Sequence, residues 1–535
     1  MLFTAQTIPY ASTNQFSKIV LDYLQGENVL KPFYTAAPDI EAIKKAIAAK
    51  QAQNPDRETL VQVLQKQYEG VEATAAVQQN IQALLQPNTF TVCTAHQPNL
   101  FTGPLYFIYK ILHAVQLAQQ LSQQLPQHRF VPVFYMGSED ADKEELLHTY
   151  VQGKKYEWQT TQTGAVGRMI VDKALVALID EMSGQLLVHP FGKEVVDGLK
   201  ASYAIGTTIQ QATFSLVNAL FGNWGLIVLI ADSADLKKKM IPVFEDDLFQ
   251  QQPSQVVEAT VQKLGEHYNV QANPRDINLF YLKDNLRERI VKKEDHYCVN
   301  HTDIRFTKEE LQNLLQEQPE LFSPNVILRG LYQETILPNV AFIGGGGEVA
   351  YWLQLKDLFT HYNIPFPLLV LRNSFLIIEK KWAERISKLD LDSTQLFLPP
   401  IDLLNALVEA AGQRPQLNGE LQQLSALYDS LKSTATAVDI TLQGHVEALK
   451  VQALNKLQTL EKKMLRAERN KHQAVSRQIA AIKEELFPRN GLQERVENFA
   501  TFYAKWGPQF IEALLQHSLG LEQQFTVLTE VQNEA

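Results

Sequence analysis

Apolar positions along the chain change their spacing twice, and each change marks a different kind of structure. From about residue 12 to 85 they recur at three- and four-residue intervals, as at Phe16, Ile19, Val20 and Tyr23, which puts them on one face of a helix. Residues 40–49 and 57–68 continue in that manner, with Gln, Ala and Lys between the apolar positions. Near residue 89 short unbroken apolar runs take over. Residues 90–95, 130–136, 225–231 and 368–371 predict strands, and residues 105–125 predict a long amphipathic helix between the first two. Strands that alternate with helices and end in polar clusters, such as Gly137-Ser138-Glu139-Asp140 and Asp232-Ser233, predict a parallel α/β sheet. Ligands of such sheets bind beyond the carboxyl ends of the strands. Residues 150–223 and 276–318 are long enough to form inserted subdomains, the second with short strands of its own.

The last third returns to helical spacing over a longer span. Leu442, Val446, Leu449, Leu457, Leu460, Met464, Val475, Ile479, Ile482 and Leu486 step mostly by three and four, with charges and Gln between them. That pattern predicts a coiled-coil seam, stopped at Pro488 and Gly491. Leu421, Leu424, Leu427 and Leu431 start an earlier helix, and Val496, Phe499, Phe502, Tyr503 and Phe510 belong to a later one. An antiparallel hairpin packed on a third helix fits them. The predicted organisation is therefore a helical segment over 1–88, an α/β core over 89–385 and a helical coiled-coil domain over 386–535.

Composition changes this picture mainly by exclusion. The 535 residues are 45 % hydrophobic and 20 % charged, which is enough for a sizeable core. A net charge of −10 argues against nucleic acid held by bulk charge. The two cysteines, Cys93 and Cys298, make no disulfide framework. Cys93 sits in the apolar run at 89–93 and reads as a small buried hydrophobe. No basic leader followed by a long apolar stretch opens the chain. The longest apolar run, 226–231, falls far short of the roughly 20 residues that cross a bilayer. A cytoplasmic protein without a membrane partner is expected.

Four segments carry candidate chemistry. The first runs from His96-Gln97 through Thr102-Gly103 to Tyr106 and joins a strand to a helix. A Gly-containing loop there offers backbone N–H groups and a helix N-terminus to phosphate or carboxylate, and His96 could stabilise developing charge. The plain alternative is a helix-entry loop with a structural histidine. The second is Glu139-Asp140 with Asp142, Glu144, Glu145 and His148. Carboxylates after a strand can hold an amine, a ribose or Mg²⁺, or act as a base; an acidic helix start is the alternative. The third runs from Asn325 and Arg329, through Gln333-Glu334, to Gly344-Gly345-Gly346-Gly347-Glu348 and Tyr351-Trp352. Four consecutive glycines cost conformational entropy, permit positive φ and let backbone approach a ligand; a flexible connector is the alternative. The fourth is the basic group Lys462, Lys463, Arg466, Arg469, Lys471 and Arg477, a solvated helix face or a nucleotide-phosphate contact.

Together these segments resemble one family, the bacillithiol-biosynthesis cysteine-adding enzymes BshC. The resemblance rests on His96-Gln97, Leu100 to Tyr106 and Lys110; on Glu139-Asp140, Glu144-Glu145 and His148; on Asn325, Arg329, Gln333-Glu334, Pro338, Gly344 to Glu348, Tyr351, Trp352 and Lys356; and on Leu492 to Arg495 with Gly507 to Phe510. It covers nearly the whole chain. Departures are Pro98-Asn99 in the first loop, Gly330 in place of Pro, and the Gly345-Gly346 pair. The resemblance implies a core similar to the nucleotidyl-transferase-like Rossmann folds of class I aminoacyl-tRNA synthetases, with a C-terminal coiled coil. It also implies a ligase that joins the carboxyl of cysteine to the amine of glucosaminyl-malate. ATP or another nucleotide is the expected cofactor, with Mg²⁺ allowed beside it and no dedicated metal ligand set, and a homodimer through the coiled coil is the expected assembly.

On that basis His96, Gln97, Thr102 and Gly103 would hold anionic oxygens. Glu139 or Asp140 would orient the attacking amine or take its proton. Asn325 and Arg329 would hold malyl carboxylates, and Glu348 would meet an amine beside Gly344 to Gly347. Tyr106, Lys110 and Tyr351 complete the expected binding set. A reading from another class keeps the fold as a dimeric scaffold that binds a nucleotide or thiol metabolite without catalysis.

Overall fold

A computed structural model describes residues 2–410 and 416–531, with the side chains of 410 and 468–471 outside the description. The chain forms two compact units. One comprises residues up to Ala11, Gln15–Ile377 and the segment from Gly491 on; the other comprises Ser12–Asn14 and Ile378–Asn490.

The first unit is built on five strands, β1 (Thr89–His96), β2 (Arg129–Met136), β3 (Ile227–Ile230), β4 (Asn339–Gly344) and β5 (Leu368–Leu371), in spatial order β5-β4-β1-β2-β3. Every pairing is parallel, with Phe90 opposite Phe130 and Phe342 opposite Cys93. These strands are unbroken apolar runs because helices cover both faces. On one face Phe90, Val92, Val340, Ile343 and Val370 pack with Ile43, Ile47, Leu117 and Leu121 in one buried cluster. Leu117 and Leu121 belong to helix α1 (Tyr106–Gln124), which follows β1 as expected.

The order 3-2-1-4-5 is the doubly wound arrangement, and the chain reverses its direction of travel between β1 and β4. A crevice opens at that switch point. All four predicted strands form. The central β4 extends the prediction, because its apolar run at 340–343 also reads as a mere flank of the glycines.

Three smaller sheets complete this unit, one of them the hairpin of His148–Val151 and Lys154–Glu157. Leu279–Lys283, Leu286–Lys293, His296–Val299 and Arg305–Phe306 of the second predicted insert make an antiparallel sheet with Phe322–Pro324, which lies just beyond it. Phe3–Ile8 pairs antiparallel with Phe525–Glu530, tying the two ends of the chain together. The N-terminal strand escapes the helical reading of that region because its partner lies over 500 residues away. The segment from Gly491 belongs to this unit, although the periodicity alone runs the tail domain on to residue 535. The cause is an aromatic cluster: Phe502 stacks on Phe510 at 5.6 Å, and Trp506 meets Phe3 edge-on at 5.0 Å.

The second unit is helical: Lys380–Lys388, Pro400–Ala410, α2 (Asn418–Val438), α3 (Leu442–Lys471) and α4 (Gln473–Leu486). The turn at Asp439 folds α2 and α3 into an antiparallel hairpin bridged by Lys432–Glu447 and Lys450–Asp429. The predicted seam is broken at His472, where the backbone leaves helical geometry. Ile479, Ile482 and Leu486 are buried, whereas no residue of α2 is, and Leu442, Leu449, Leu460 and Met464 are exposed. Of the basic cluster, Arg469 and Lys471 carry side chains outside the described residues.

Candidate active site

The carboxyl ends of β1 and β2 and the turn after β4 surround a cavity of about 600 Å³. His96 and Gln97 leave β1, Gly137 and Asp140 follow β2, and Tyr106 and Lys110 project from the first turns of α1. Asn325 caps the helix Val326–Ile336, whose next turn supplies Arg329, and Gly345, Gly346, Gly347, Glu348 and Tyr351 form the turn and short helix after β4. Twelve of the sixteen expected site residues thus converge on one space from separate parts of the chain.

Most charges in the cavity are already spent on one another. Asp140 accepts two hydrogen bonds from Arg329, at 3.0 and 2.5 Å, and lies 3.6 Å from Arg287. Burial works to raise this carboxyl, but Arg329, Arg287 and a hydrogen bond from Gln97 hold it down at about 2. Lys110 donates to the Ala95 carbonyl at 2.9 Å and pairs with Glu348. Burial pulls the Lys110 ammonium below its ordinary value and Glu348 opposes that shift. Arg372, just past β5, is bound by the buried Glu494 at 2.6 Å. His96 is neutral: burial and the nearby Lys110 and Arg372 push its imidazole well below the usual range. Its Nε2 is buried without a hydrogen-bond partner. A neutral ring nitrogen left unpaired beside several cations is an open position for a ligand.

Four expected residues do not face this space. Glu139 turns the opposite way from Asp140 and is buried against Lys237 at 2.5 Å, where Asp232 and Arg168 extend the network. Glu139 stands in the turn that follows β2, and of the two adjacent carboxylates only Asp140 meets the crevice. Thr102 and Gly103 lie beneath the loop. Phe101, Thr102 and Gly103 all take positive φ, which folds the loop over Asn99, and Asn498 donates to the carbonyls of Phe101 and Gly103 at 2.8 and 2.6 Å. A Cβ on Gly103 would stand 2.8 Å from that of Asn99. Gly344 is the last residue of β4, and a Cβ there would meet Phe342 and Glu348 at 2.9 and 3.0 Å.

The glycine run also works differently from expectation. None of Gly344 to Gly347 has positive φ. Glu348 accepts the Gly345 N–H at 2.7 Å and so caps its own helix, with Lys110 as its countercharge. Its amine is therefore a lysine of this chain. Asn325 is similarly engaged, accepting from the Ile327 N–H at 2.8 Å and donating to Asn278 at 2.9 Å.

Known proteins narrow what this site belongs to. The family model described as Bacillithiol biosynthesis BshC, N-terminal Rossmann-like domain, matches residues 3–373, and its C-terminal coiled-coil counterpart matches 375–530. The chain belongs to the BshC family. A relative from Flavobacterium johnsoniae is 40 % identical over 98 % of this chain and 99 % of its own length, and one from Cytophaga hutchinsonii is 40 % identical over 96 % and 97 %. One from Salinibacter ruber is 31 % identical over 96 % of both chains. All three carry the name "Putative cysteine ligase BshC".

The BshC fold brings further residues to the cavity beyond the sixteen expected. Tyr135, Gln271, Phe280 and Arg287 line it, as do Glu145, Arg372 and Arg495. Arg287 stacks over Phe280 at 4.1 Å and donates to Ser323 at 3.1 Å. A signal for Arg372 exists, since it directly follows the strand run at 368–371. Glu145 and Arg495 stand inside segments that carry the family resemblance. Arg287 has no such signal. The departure at Gly330 has a packing cause, because a Cβ there would lie 3.0 Å from the Trp352 ring, which stacks on Phe342 at 4.4 Å.

Proposed function

We propose that this protein is a cysteine ligase of bacillithiol synthesis that joins the carboxyl of L-cysteine to the amine of glucosaminyl-malate in a nucleotide-dependent reaction. The observation that carries this reading is its likeness, over nearly the full length of both chains, to relatives that bear the cysteine-ligase name. The cavity supports it. Five cations, Lys110, Arg287, Arg329, Arg372 and Arg495, line one space with the neutral His96. Such a lining suits a ligand rich in anionic oxygens, as ATP and a dicarboxylate both are.

ATP, when bound, supplies the activation that a free carboxylate needs before an amine can displace its oxygen. Arg329 and Arg372 keep N–H donors beyond those given to Asp140 and Glu494, and these can bind ligand oxygens without breaking the internal pairs. The open Nε2 of His96 takes or gives one further hydrogen bond. Asp140 is a poor proton acceptor, because a carboxyl held near 2 stays ionised and locked to arginine. Its role is to fix Arg329. Among the described residues no group of three or more His, Cys, Asp or Glu side chains is placed to hold a metal, so no step is routed through one.

Purified protein with cysteine, glucosaminyl-malate and ATP should form bacillithiol, read by mass spectrometry, with no product when ATP is omitted. Absence of the amide with all three present overturns the proposal. The free cysteines and this biosynthetic role suit the cytosol, and no helix among the described residues is long and apolar enough to cross a membrane. The exposed Leu442, Leu449, Leu460 and Met464 on α3 support a homodimer through the coiled coil. Sedimentation at micromolar concentration should find a dimer, and Leu460→Asp should release monomers; a monomeric wild type rejects it.

A further inference from the structure

Eight ionisable side chains of the Asp, Glu, Lys and Arg types line the cavity, and six of them are ion-paired within the protein. Asp140 is held by Arg329 and Arg287, Glu348 by Lys110, and Arg372 by Glu494. Of these eight, only Glu145 and Arg495 have neither an ion pair nor a side-chain hydrogen bond. One is a carboxylate and the other a guanidinium. They come from distant parts of the chain, the short helix Lys143–Leu146 after β2 and the turn Gln493–Arg495. Both act electrostatically on the Tyr106 hydroxyl in opposite senses, so both flank one wall of the cavity. Both are exposed at its mouth, where an arriving ligand would cover them.

We propose that Glu145 and Arg495 form a zwitterion anchor, with Glu145 receiving the ammonium of an amine substrate and Arg495 an anionic group of the same molecule. The inference rests on the ligase reading for the identity of that substrate. A site whose other charges are ion-paired internally owes its selectivity among charged ligands mainly to the two that are not. The pattern also excludes. A purely anionic ligand meets Glu145 as a like charge, while a molecule carrying one ammonium and at least one carboxylate satisfies both ends. Glucosaminyl-malate and cysteine each have that chemistry, and glucosaminyl-malate has carboxylates to spare when its amine reacts. Burial, Asp142 and Asp140 raise the Glu145 carboxyl against the opposing pull of Lys110, which is itself paired with Glu348.

The experiment is calorimetric binding to the full chain, for wild type, Glu145→Gln and Arg495→Gln. The probes are glucosaminyl-malate, its N-acetylated form and cysteine. Loss of one charge-assisted contact is worth about tenfold or more in affinity. Glu145→Gln should therefore weaken glucosaminyl-malate by about tenfold or more and leave the N-acetylated form, which has no ammonium, within about twofold. Arg495→Gln should weaken both sugars. If Glu145→Gln weakens cysteine instead of the sugar, the anchor stands and its ligand is the amino acid. Unchanged binding of both amines by Glu145→Gln, equal loss of the N-acetylated form, or no binding of any probe by the wild type overturns it. Amide formation is followed in parallel. A wild type that binds the probes but forms no amide refutes the ligase reading alone. A Glu145→Gln enzyme with wild-type binding and turnover refutes the anchor alone.

Discussion

Glu139 and Lys237 in the first unit and Glu447 and Lys432 in the second make the same chemical pair, at 2.5 and 2.8 Å. The carboxylate and ammonium side chains are 9 and 0 % exposed in the first pair and 48 and 32 % exposed in the second. Water solvates the coiled-coil pair whether or not it is closed, so it adds little to stability. The pair beside the sheet has no water to fall back on. Its ammonium also serves Asp232 at 3.3 Å and the Glu320 carbonyl at 3.0 Å, so its loss strands several groups together. The cavity lies between these cases: most of its charges are locked like Lys237, and two are left open like the surface pairs. Charge placement in this chain is thus rigid where it shapes the crevice and loose where it meets solvent.

The sharpest way to break that contrast is Lys237→Met. Removing one partner from a buried ion network costs about 3–5 kcal/mol, so urea unfolding of the first unit should move by that order. Adding Glu139→Gln should recover part of the loss, because one stranded charge is removed with it. If Lys237→Met unfolds like the wild type, the network does not support the strand ends as described.

A second test uses a buried group that must stay uncharged. His113 donates through Nε2 to the Gly520 carbonyl at 2.7 Å and accepts at Nδ1 from the Asn373 N–H at 3.0 Å. Protonation would put a donor at both nitrogens and break the second bond. Burial accordingly pushes the imidazole down from 6.5 to about 4. For a base, a folded value below the unfolded one means that the unfolded chain takes up its proton first as pH falls. The stability held above pH 6.5 is therefore lost as pH falls toward about 4, by about 3 kcal/mol in all, and the loss levels off below that. His113→Gln should flatten this part of the stability profile. An unchanged acid slope in the variant would exclude His113 as its source.

Packing gives a smaller effect. Gly330→Ala places a methyl about 3 Å from the Trp352 ring between buried elements, and overpacking of that kind costs about 1–3 kcal/mol. A neutral result in thermal unfolding would mean that Trp352 shifts freely, contrary to its stacking on Phe342.

These residues also show why the fold was more legible than the site. Strands β1, β2, β3 and β5 announce themselves because burial on both faces demands unbroken apolar runs, a property written locally. The strand Phe3–Ile8 does not, since four of its six residues are exposed and its partner Phe525–Glu530 lies at the other end of the chain. In the site, proximity to a strand end brought His96 and Asp140 within reach of sequence reading, and the glycine-rich segment with its family resemblance brought Arg329 and Tyr351. Proximity could not tell Asp140 from Glu139, because the two differ only in which way the turn after β2 points them. Glu348 read as a carboxylate awaiting an amine, and the lysine that satisfies it is Lys110, one turn into a helix over 230 residues earlier. Arg287 carries no such signal, because a lone arginine inside an inserted sheet has no local signature of the cavity it will line.

The smallest expected effect tests the other side of the comparison. Lys432 bridges α2 to α3 through Glu447, and Lys450 bridges back to Asp429. Hydrogen bonding to Lys432 lowers the Glu447 carboxyl, which shows that the pair forms but not that it stabilises, because both partners regain water when it opens. Lys432→Ala should leave the unfolding of the second unit unchanged within the error of a denaturation curve, at low and at high salt. A surface pair that did matter would reveal itself by a penalty that fades as salt rises, since ions screen exposed charges over about 10 Å at 0.1 M. A salt-dependent loss in Lys432→Ala approaching that of Lys237→Met would mean that the hairpin is held by its charges, and the distinction between locked and solvated pairs would then fail in this protein.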